Sequence, residues 1–263
     1  MATLGSQSVG SIVKLNVNGV AKNFIVVHQG LPGTMYDSSC NGTWLLMEDV
    51  YELRALDRSD HDYENSDIHS YLNNTFVNLF DSDIKSAIKQ VKIPYRAGTG
   101  SNTTVTSGSS GLSAKVFLLS YTEVGFKGNS YAPVEGYVLG YFNGASNSQR
   151  IAKLNGLSEE WWLRSPYTGY RVDAFYVERA GGYSSYYVTD SRGVRPALVL
   201  PSELSVANDG TVTLASGAIT GSVKIGGVQR ELTGKGYINI GGVLRELSDA
   251  KVNIGGTLKS LKG

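Results

Sequence analysis

The stretch 161–200 limits the possible folds of this chain more than any other part of its sequence. It reads WWLRSPYTGYRVDAFYVERAGGYSSYYVTDSRGVRPALVL. Its ends, 161–163 and 194–200, are apolar and strand-like, whereas its middle is dense in Tyr, Ser, Gly and Asp. Because large apolar residues are mostly buried in folded proteins, the pattern predicts core strands joined by exposed loops.

The middle of this stretch has the chemistry of an antibody paratope. Tyrosine offers a large amphipathic contact area at low entropic cost, and Ser, Gly and Asp add adaptable hydrogen bonds. We therefore expect a ligand-binding face made of Tyr167, Tyr170, Asp173, Tyr176, Tyr183, Ser184, Ser185, Tyr186, Tyr187, Thr189 and Asp190. The alternative is an ordinary β-rich loop whose tyrosines cover the protein's own surface. Within it, Val177 and Val188 are expected to point inward, and Gly181 and Gly193 to set turns.

Four larger side chains in the same stretch could also contact a ligand. Trp161 and Trp162 could stack on a sugar, but the apolar Leu163 beside them favours a place in the core. Arg164 and Arg195 could hold an anion, yet arginines next to such anchors usually satisfy buried carbonyl groups or a carboxylate. We expect structural roles for all four.

Periodicity predicts the remaining elements. Alternation across 12–28, around the pair Asn18-Gly19, is typical of a β-hairpin with a type I′ turn, and 43–47 reads as a third strand. Apolar residues then recur at helical spacing, which predicts two short helices, the second running to Val91 after a cap at Asp81. These helical positions are Ile68, Tyr71, Leu72, Phe76 and Leu79, then Ile84, Ala87, Ile88 and Val91.

Two further segments complete this part of the chain. The stretch 97–113 is rich in Gly, Ser and Thr, which predicts a flexible surface loop. The apolar residues that follow it, 116–120, predict another strand.

Charge and cysteine content exclude several classes of function. The chain has 24 basic and 23 acidic residues, so we expect no nucleic-acid partner. Its one cysteine, Cys40, cannot form an intrachain disulfide, and no spacing of Cys and His suits a zinc site. We find neither a secretory signal in residues 1–10 nor an apolar run long enough for membrane insertion.

The acidic stretch 57–69 is the one candidate for a metal site. Asp57, Asp60, His61, Asp62, Glu64, Asp67 and His69 could supply oxygen and nitrogen ligands to Ca²⁺. However, no EF-hand spacing is present, and acids before a helix are explained by the helix dipole. We expect no metal and no cofactor. No catalytic motif appears either, so we expect a protein that is not an enzyme.

The C-terminal part of the chain repeats itself. VKIGGVQREL, YINIGGVLREL and KVNIGGTLKSL follow one another between residues 223 and 261. Each Gly-Gly pair lies between short β-prone runs, as in a two-residue hairpin turn. We expect a small all-β hairpin-repeat module at 220–263, after a linker or connector strand at 205–219.

Two paired signatures carry a family resemblance. WWLRSP at 161–166 and GVRPAL at 193–198, together with GSIVKL, ENSDIHSYLNNTF and VFLLSYTEV further upstream, resemble a group of bacterial and phage proteins. That group is similar to the C-type-lectin-like fold of formylglycine-generating enzymes and of the variable proteins of diversity-generating retroelements. The resemblance implies an α+β, C-type-lectin-like domain at 1–204. Formylglycine-type catalysis depends on a pair of cysteines, and this chain has one.

The repeats are similar to C-terminal modules of phage tail proteins, and this similarity sets the functional expectation. We expect a bacteriophage virion surface protein that adheres to a host-surface glycan or protein and contacts other virion proteins through 220–263. We expect it to be a homo-oligomer, made in the host cytoplasm and released by lysis. The alternatives are a structural virion protein, such as a capsid decoration or baseplate component, and a hydrolase acting on cell-wall sugars.

Overall fold

A computed structural model describes residues 2–98 and 102–214, and the backbone of six strands within 215–263. The protein is α+β and mostly β, with two short α-helices, α1 (Asp67–Asn74) and α2 (Ser82–Ala87). Single 3₁₀ turns are formed by Leu4–Ser6, Ser38–Cys40, Tyr63–Asn65, Phe76–Leu79, Gly140–Phe142 and Asn147–Arg150.

The strands of residues 2–214 are β1 (Ala2–Thr3), β2 (Ile12–Val17), β3 (Val20–Gly30), β4 (Gly42–Met47), β5 (Glu52–Arg54), β6 (Val91–Ile93), β7 (Tyr95–Arg96), β8 (Val105–Thr106), β9 (Leu112–Ala114), β10 (Val116–Phe117), β11 (Ala152–Leu154), β12 (Leu157–Glu159), β13 (Trp161–Pro166), β14 (Asp173–Val177), β15 (Tyr183–Tyr187), β16 (Arg192–Val194), β17 (Ala197–Leu200), β18 (Ser205–Val206) and β19 (Val212–Thr213). The remaining six are β20 (Gly221–Ile225), β21 (Val228–Leu232), β22 (Tyr237–Ile240), β23 (Val243–Glu246), β24 (Lys251–Ile254) and β25 (Thr257–Ser260).

A five-stranded antiparallel sheet begins with the predicted hairpin. Its order is β10-β17-β4-β3-β2. Asn18 and Gly19 connect β2 to β3 with φ angles of 52° and 74°, so the predicted type I′ turn is confirmed. Every residue of β4 is buried, because this strand lies in the middle of the sheet and is covered on both faces.

A second five-stranded sheet, β15-β14-β13-β16-β5, contains most of the stretch 161–200. The pair β13 and β16 is parallel, and the other pairs are antiparallel. Trp161, Trp162 and all of residues 194–200 are buried, as their apolar character predicted. The indole N–H groups of Trp161 and Trp162 donate to the carbonyl oxygens of Arg150 and Arg54, which satisfies both donors in the core.

The two helices begin where the sequence predicted, but both end earlier: Phe76 and Leu79 lie in a separate 3₁₀ turn, and α2 ends before Ile88. The Ser66 hydroxyl accepts from His69 N–H and caps α1. Asp81 is the N-terminal flanking residue of α2, although its carboxylate accepts from the Asn16 side-chain amide and not from the helix. The helix ends at Ala87, and Val91 starts β6, because its partner strand β9 takes up the backbone of 91–93.

The polar stretch 97–113 also differs from its prediction. It contains β8, which pairs with β7, and the start of β9, which pairs with β6. Leu112 is buried and holds β9 against the core. The prediction of a flexible surface loop was therefore wrong for 105–106 and 112–113, because strand pairing compensates for the weak apolar content of this segment.

The first strand of the region 2–214 joins the last two in one three-stranded sheet, in the order β1-β18-β19. β1 pairs with β18, and β18 pairs with β19. The polar stretch 207–210 forms the turn between the last two, with Gly210 N–H donating to the Ala207 carbonyl at 2.9 Å. The sheet thus continues to Thr213, beyond the expected boundary at 204. Residues 215–219 of the expected linker lie outside the described part.

The C-terminal repeats form three separate antiparallel pairs, β20-β21, β22-β23 and β24-β25. Ile225 pairs with Val228, Ile240 with Val243 and Ile254 with Thr257. This register leaves a two-residue connection in each repeat, as expected for hairpins. The Gly-Gly pairs themselves, at 226–227, 241–242 and 255–256, lie outside the described residues. In the part of the chain that is described, no helix is long and apolar enough to cross a bilayer.

Candidate binding face

The hairpin of β14 and β15 carries most of the predicted binding residues. Its register places Tyr183 opposite Val177 and Tyr187 opposite Asp173. Since side chains alternate along a strand, Tyr183, Ser185 and Tyr187 lie on one face and Ser184 with Tyr186 on the other. The predicted tyrosines therefore do not form one surface, and the two faces have to be described separately.

The first face contains a row of contacting aromatic rings, which we call the aromatic row: Tyr170, Tyr131, Tyr167, Phe175 and Tyr183. Tyr131 stacks on Tyr167 with ring centroids 5.0 Å apart and an angle of 12° between the rings. Tyr167 also contacts Tyr170 at 5.7 Å and Phe175 at 5.4 Å. Phe175 in turn lies 6.2 Å from Tyr183.

The aromatic row has a buried base and exposed ends. Phe175 is buried, while the exposed fractions are 63% for Tyr170, 52% for Tyr131 and 45% for Tyr183. Beneath Tyr183 lie the buried Tyr121 and Phe126, with centroids 4.8 and 4.9 Å from its ring. The rings are thus held by packing before any ligand arrives.

Tyr131 was not among the predicted residues. It lies in the irregular segment 127–139 and is tied to the β13–β14 loop, because Thr168 N–H donates to its carbonyl at 2.9 Å. Val134, Tyr137 and Val138 of the same segment are exposed as well. Five apolar or aromatic residues lie within 131–138. Because this segment has neither strand nor helix periodicity, its sequence does not show which of these side chains point outward.

The second face of the hairpin is built around Arg192. Its guanidinium carbon lies 4.2 Å from the centroid of Tyr176, 4.8 Å from that of Trp162 and 4.9 Å from that of Tyr186. Such stacking of guanidinium on aromatic rings is favourable. Arg192 Nε also lies 3.2 Å from Glu160 Oε2.

This arrangement corrects the prediction for Tyr176. Only 8% of its surface is exposed, because it lies on the inner strand β14 between Trp162 and Arg192. It cannot present its ring to a ligand in this fold. Tyr186 remains exposed on top of Arg192, and its ring is 5.1 Å from that of Tyr187.

The predicted polar residues are spread along the hairpin. Ser184 and Ser185 are half-buried, and Thr189 and Asp190 are exposed. Asp173 is half-buried, and burial raises the pKa of its carboxyl group above the ordinary value. One of its carboxylate oxygens, Oδ1, is buried without a hydrogen-bond partner.

The residues expected to be structural are indeed buried, for slightly different reasons. Val177 and Val188 are fully buried. Gly181 has a φ of 80°, and a Cβ there would lie 1.9 Å from the Asn147 carbonyl oxygen. Gly193 does not set a turn; it lies in β16, where a Cβ would come within 2.6 Å of the Glu160 carbonyl oxygen.

A buried polar network holds the segment 127–139, which carries Tyr131. Arg164 Nη1 and Nη2 donate to Glu123 Oε2 and Oε1 at 2.5 and 2.7 Å, and both side chains are fully buried. Arg164 also donates to the carbonyl oxygens of Pro94 and Leu118. The expectation that Arg164 satisfies buried carbonyls and a carboxylate is confirmed.

Glu135 fixes the segment 127–139 to the same network. Its carboxylate accepts from the backbone N–H of Arg96 at 2.9 Å and from the hydroxyl of Ser165. Its own carbonyl accepts from the Ser120 hydroxyl at 2.7 Å. Burial raises the pKa of this carboxyl group. Tyr131 and Tyr137 therefore flank a buried anchor.

Arg195 has a matching role beneath the other side of the core. Its guanidinium donates to the carbonyl oxygens of Met47 and Glu48 at 2.9 Å each and lies 4.7 Å from the ring centroid of Trp161. The arginines of the WWLRSP and GVRPAL signatures thus hold buried backbone in place.

The acidic stretch 57–69 is used for turns and capping. Asp57 accepts from the backbone N–H groups of Ser59 and Asp67, and Asp67 forms a bidentate pair with Arg58. His61 Nδ1 lies 2.9 Å from the Asp173 carbonyl oxygen, which joins this stretch to β14. Among the residues that the structure describes, no three His, Cys, Asp or Glu side chains converge as metal ligands would.

One concave site among the described residues lies away from this face. A groove of about 480 Å³ is bounded by α1, α2 and β9, and its polar lining includes Asn73, Lys85 and Lys115. None of the predicted binding residues lines it. The candidate site described above is a surface of aromatic side chains.

The chain belongs to a family described as a domain of unknown function, DUF6273, whose model matches residues 41–202. The match begins just before β4 and ends just after β17, so it covers the whole sheet that carries the aromatic row. No curated protein and no solved structure matches the chain.

Proposed function

We propose that this protein is a receptor-binding protein on the surface of a bacteriophage particle. Its head, the region 2–214, adheres to a glycan or protein of the host cell surface through the aromatic row and the neighbouring Tyr186 and Tyr187. The observation that carries the proposal is the exposure of Tyr131, Tyr170 and Tyr183 on a base of buried rings.

The geometry suits binding because little has to be ordered when a ligand docks. Tyr131 and Tyr167 stack on each other, and Tyr183 rests on Tyr121 and Phe126. Side chains that are already held lose less rotamer entropy on binding, so more of the contact energy appears as affinity. Exposed rings with hydroxyl groups fit both sugar hydroxyls and polar protein surfaces.

The architecture is compatible with a C-type-lectin-like head, which we propose as the finer description of the fold. Three features support it: the first strand pairs with a strand at the end of the head, two short helices lie between β5 and β6, and long loops present the aromatic side chains. Fold alone assigns no function, so the proposal rests on the face itself.

The hairpin repeats support a place on a particle. Isolated two-stranded hairpins are marginally stable in water, so β20–β25 need a surface or further copies to pack against. We propose that 220–263 attach the head to other virion proteins and contribute to a homo-oligomer. The protein then acts at the virion surface, after synthesis in the host cytoplasm and release by lysis.

We propose binding rather than catalysis. The two fully buried carboxylates near the face, Glu123 and Glu135, are engaged by Arg164 and by Ser165 and Arg96 N–H respectively. A general acid or base needs access to a substrate proton. Neither carboxylate has that access.

The proposal is tested with the double variant Tyr131→Ser, Tyr170→Ser. Because both side chains are exposed, folding stability should change by about 0.5 kcal/mol or less per site. Loss of two aromatic anchors, at about 2 kcal/mol each, should weaken adsorption of variant particles to host cells by roughly 700-fold. Leu157→Ser, an exposed apolar residue of β12, is the matched control and should adsorb normally.

Two results separate the alternatives. Normal adsorption by the double variant contradicts the receptor role. If instead particles fail to incorporate the variant while the free protein remains folded, the face serves assembly, and the protein is a structural component such as a capsid decoration or baseplate protein.

A further inference from the structure

The strand β15 lies at the edge of the second sheet. Two hydrogen bonds at its ends show which of its backbone N–H and C=O groups point towards β14 and which point to solvent. Val188 N–H donates to the Val172 carbonyl at 2.8 Å, and Glu178 N–H donates to the Gly182 carbonyl at 2.9 Å. In an antiparallel pair, hydrogen-bonded and non-hydrogen-bonded residue pairs alternate. These two bonds therefore fix the alternation along the whole hairpin.

This alternation shows that the backbone N–H and C=O groups of three residues of β15 point away from β14. Tyr183, Ser185 and Tyr187 belong to non-hydrogen-bonded pairs, so their N–H and C=O groups face the open edge. The Tyr187 carbonyl accepts from Asp190 N–H at 3.0 Å. The other groups of these three residues have no backbone partner among the described residues, and water is left to satisfy them.

The open edge lacks the usual protection against pairing. Natural edge strands carry lysine, proline, an inward charge or a bulge that blocks a further strand. β15 reads YSSYY, contains no charge and no proline, and pairs with β14 in unbroken register. Such an edge favours addition of one more strand.

We propose that this edge pairs with the same edge of a second copy of the chain. An antiparallel pairing centred on Ser185 places Ser185 opposite Ser185 of the partner subunit and Tyr183 opposite Tyr187 of the partner subunit. All three residues that face the edge then find backbone partners at once. The cross-strand neighbours are Tyr with Tyr, Ser with Tyr and Ser with Ser, so no charge is buried against a like charge.

Charge at the ends of the strand favours a second copy over another extended segment. Arg179 lies in the turn before β15 and Asp190 in the turn after it, and both side chains are substantially exposed. The antiparallel arrangement brings the Asp190 turn of each copy towards the Arg179 turn of the other. Opposite charges therefore meet at both ends of the interface.

The pairing has a consequence for binding that rests on the proposed function. The two-fold axis of an antiparallel strand pair runs perpendicular to the sheet, so the aromatic rows of both copies lie on the same side. A receptor surface with repeated epitopes would engage both rows, and the second contact would be intramolecular.

The test uses the full chain and follows backbone amide exchange at Tyr183 and Ser185 by NMR. In the wild type at high concentration both amides should exchange slowly, and dilution should make them fast. Ser185→Lys places two ammonium groups on the axis and should weaken self-association at least about tenfold, leaving both amides fast. An equimolar mixture of Ser185→Lys and Ser185→Glu should restore slow exchange, because the charges are then complementary.

Ser184→Lys is the matched control, since its side chain lies on the other face and opposes Tyr186 of the partner subunit. It should behave as the wild type does. Fast exchange of both amides in concentrated wild-type protein overturns the proposal without any variant. So does slow exchange that dilution leaves unchanged. Neither result bears on adsorption to host cells, so failure of this proposal is distinguishable from failure of the proposed function.

Discussion

Arg164 and Glu123 form a fully buried ion pair joined by two hydrogen bonds. The distances are 2.5 and 2.7 Å, and the Tyr36 hydroxyl and Ser120 N–H donate to the same carboxylate. Breaking one partner of a buried pair leaves an uncompensated charge, which is far more damaging than losing an exposed pair. The pair thus makes the core of the head sensitive to single substitutions that surface pairs tolerate.

The first prediction follows from this pair. Glu123→Gln should lower the free energy of unfolding by about 3–5 kcal/mol, because the Arg164 charge loses its counterion in a dry core. Arg179→Gln, which breaks the exposed pair with Glu159, should cost far less, because water screens an exposed ion pair. Urea denaturation of both variants measures the difference. Similar losses in the two variants would show that the buried pair is not the stronger constraint.

The second prediction concerns the loss of folding stability at low pH. Burial lowers the pKa of His61 to about 4 from 6.5, and Arg96 Nη2, 3.1 Å from His61 Nε2, acts in the same direction. A base with a depressed folded-state pKa contributes stability above pH 6.5, and this contribution is lost as the pH falls towards 4. Wild-type protein should lose on the order of 2–3 kcal/mol from this group over that range. His61→Gln should show a smaller decrease in the urea midpoint between pH 7 and pH 4 than the wild type. If the midpoint of the variant falls as much as that of the wild type, His61 is not the source of the lost stability.

The third prediction compares two glycines with positive φ. Gly169 has a φ of 97° and open space around it, so Gly169→Ala should cost about 1–3 kcal/mol through backbone strain alone. Gly181→Ala adds a clash of the new Cβ with the Asn147 backbone, and this overpacking should cost about 1–3 kcal/mol more. Thermal unfolding of the two variants gives the comparison. Equal melting temperatures would show that the 147 segment yields without cost.

Local signals account for the parts of the fold that the sequence predicted. An Asn-Gly pair between two alternating strands favours a type I′ turn, as Asn18 and Gly19 form here. The large apolar pair Trp161-Trp162 favours burial in the core, where both side chains lie. Those elements needed no knowledge of their neighbours. The end of α2 did need it, because Val91 leaves the helical pattern only where β9 is available as a partner.

The sequence predicted which types of residue form the candidate site, but not which of their side chains are exposed together. Alternation along β14 and β15 shows that their side chains point to two faces, but not which face Arg192 and Trp162 would cover. Tyr176 was included and Tyr131 omitted for this reason: the first is hidden by a distant arginine, and the second is brought in by a segment without periodicity. Both depend on contacts between residues far apart in sequence.

The last prediction tests the proposed roles of the head and of the C-terminal repeats. β1, β18 and β19 form one sheet that ends at Thr213, so a chain truncated after residue 219 keeps every pairing of the head. It should remain folded, with a melting temperature within a few degrees of the head transition in the full chain. It should also no longer incorporate into particles, because the three hairpins β20–β25, which are only marginally stable in isolation, are the proposed attachment end. Sedimentation and particle incorporation measure the outcome. Normal incorporation of the truncated chain would mean that the head carries the attachment surface and that the edge strand or the aromatic row, and not the repeats, binds the rest of the virion.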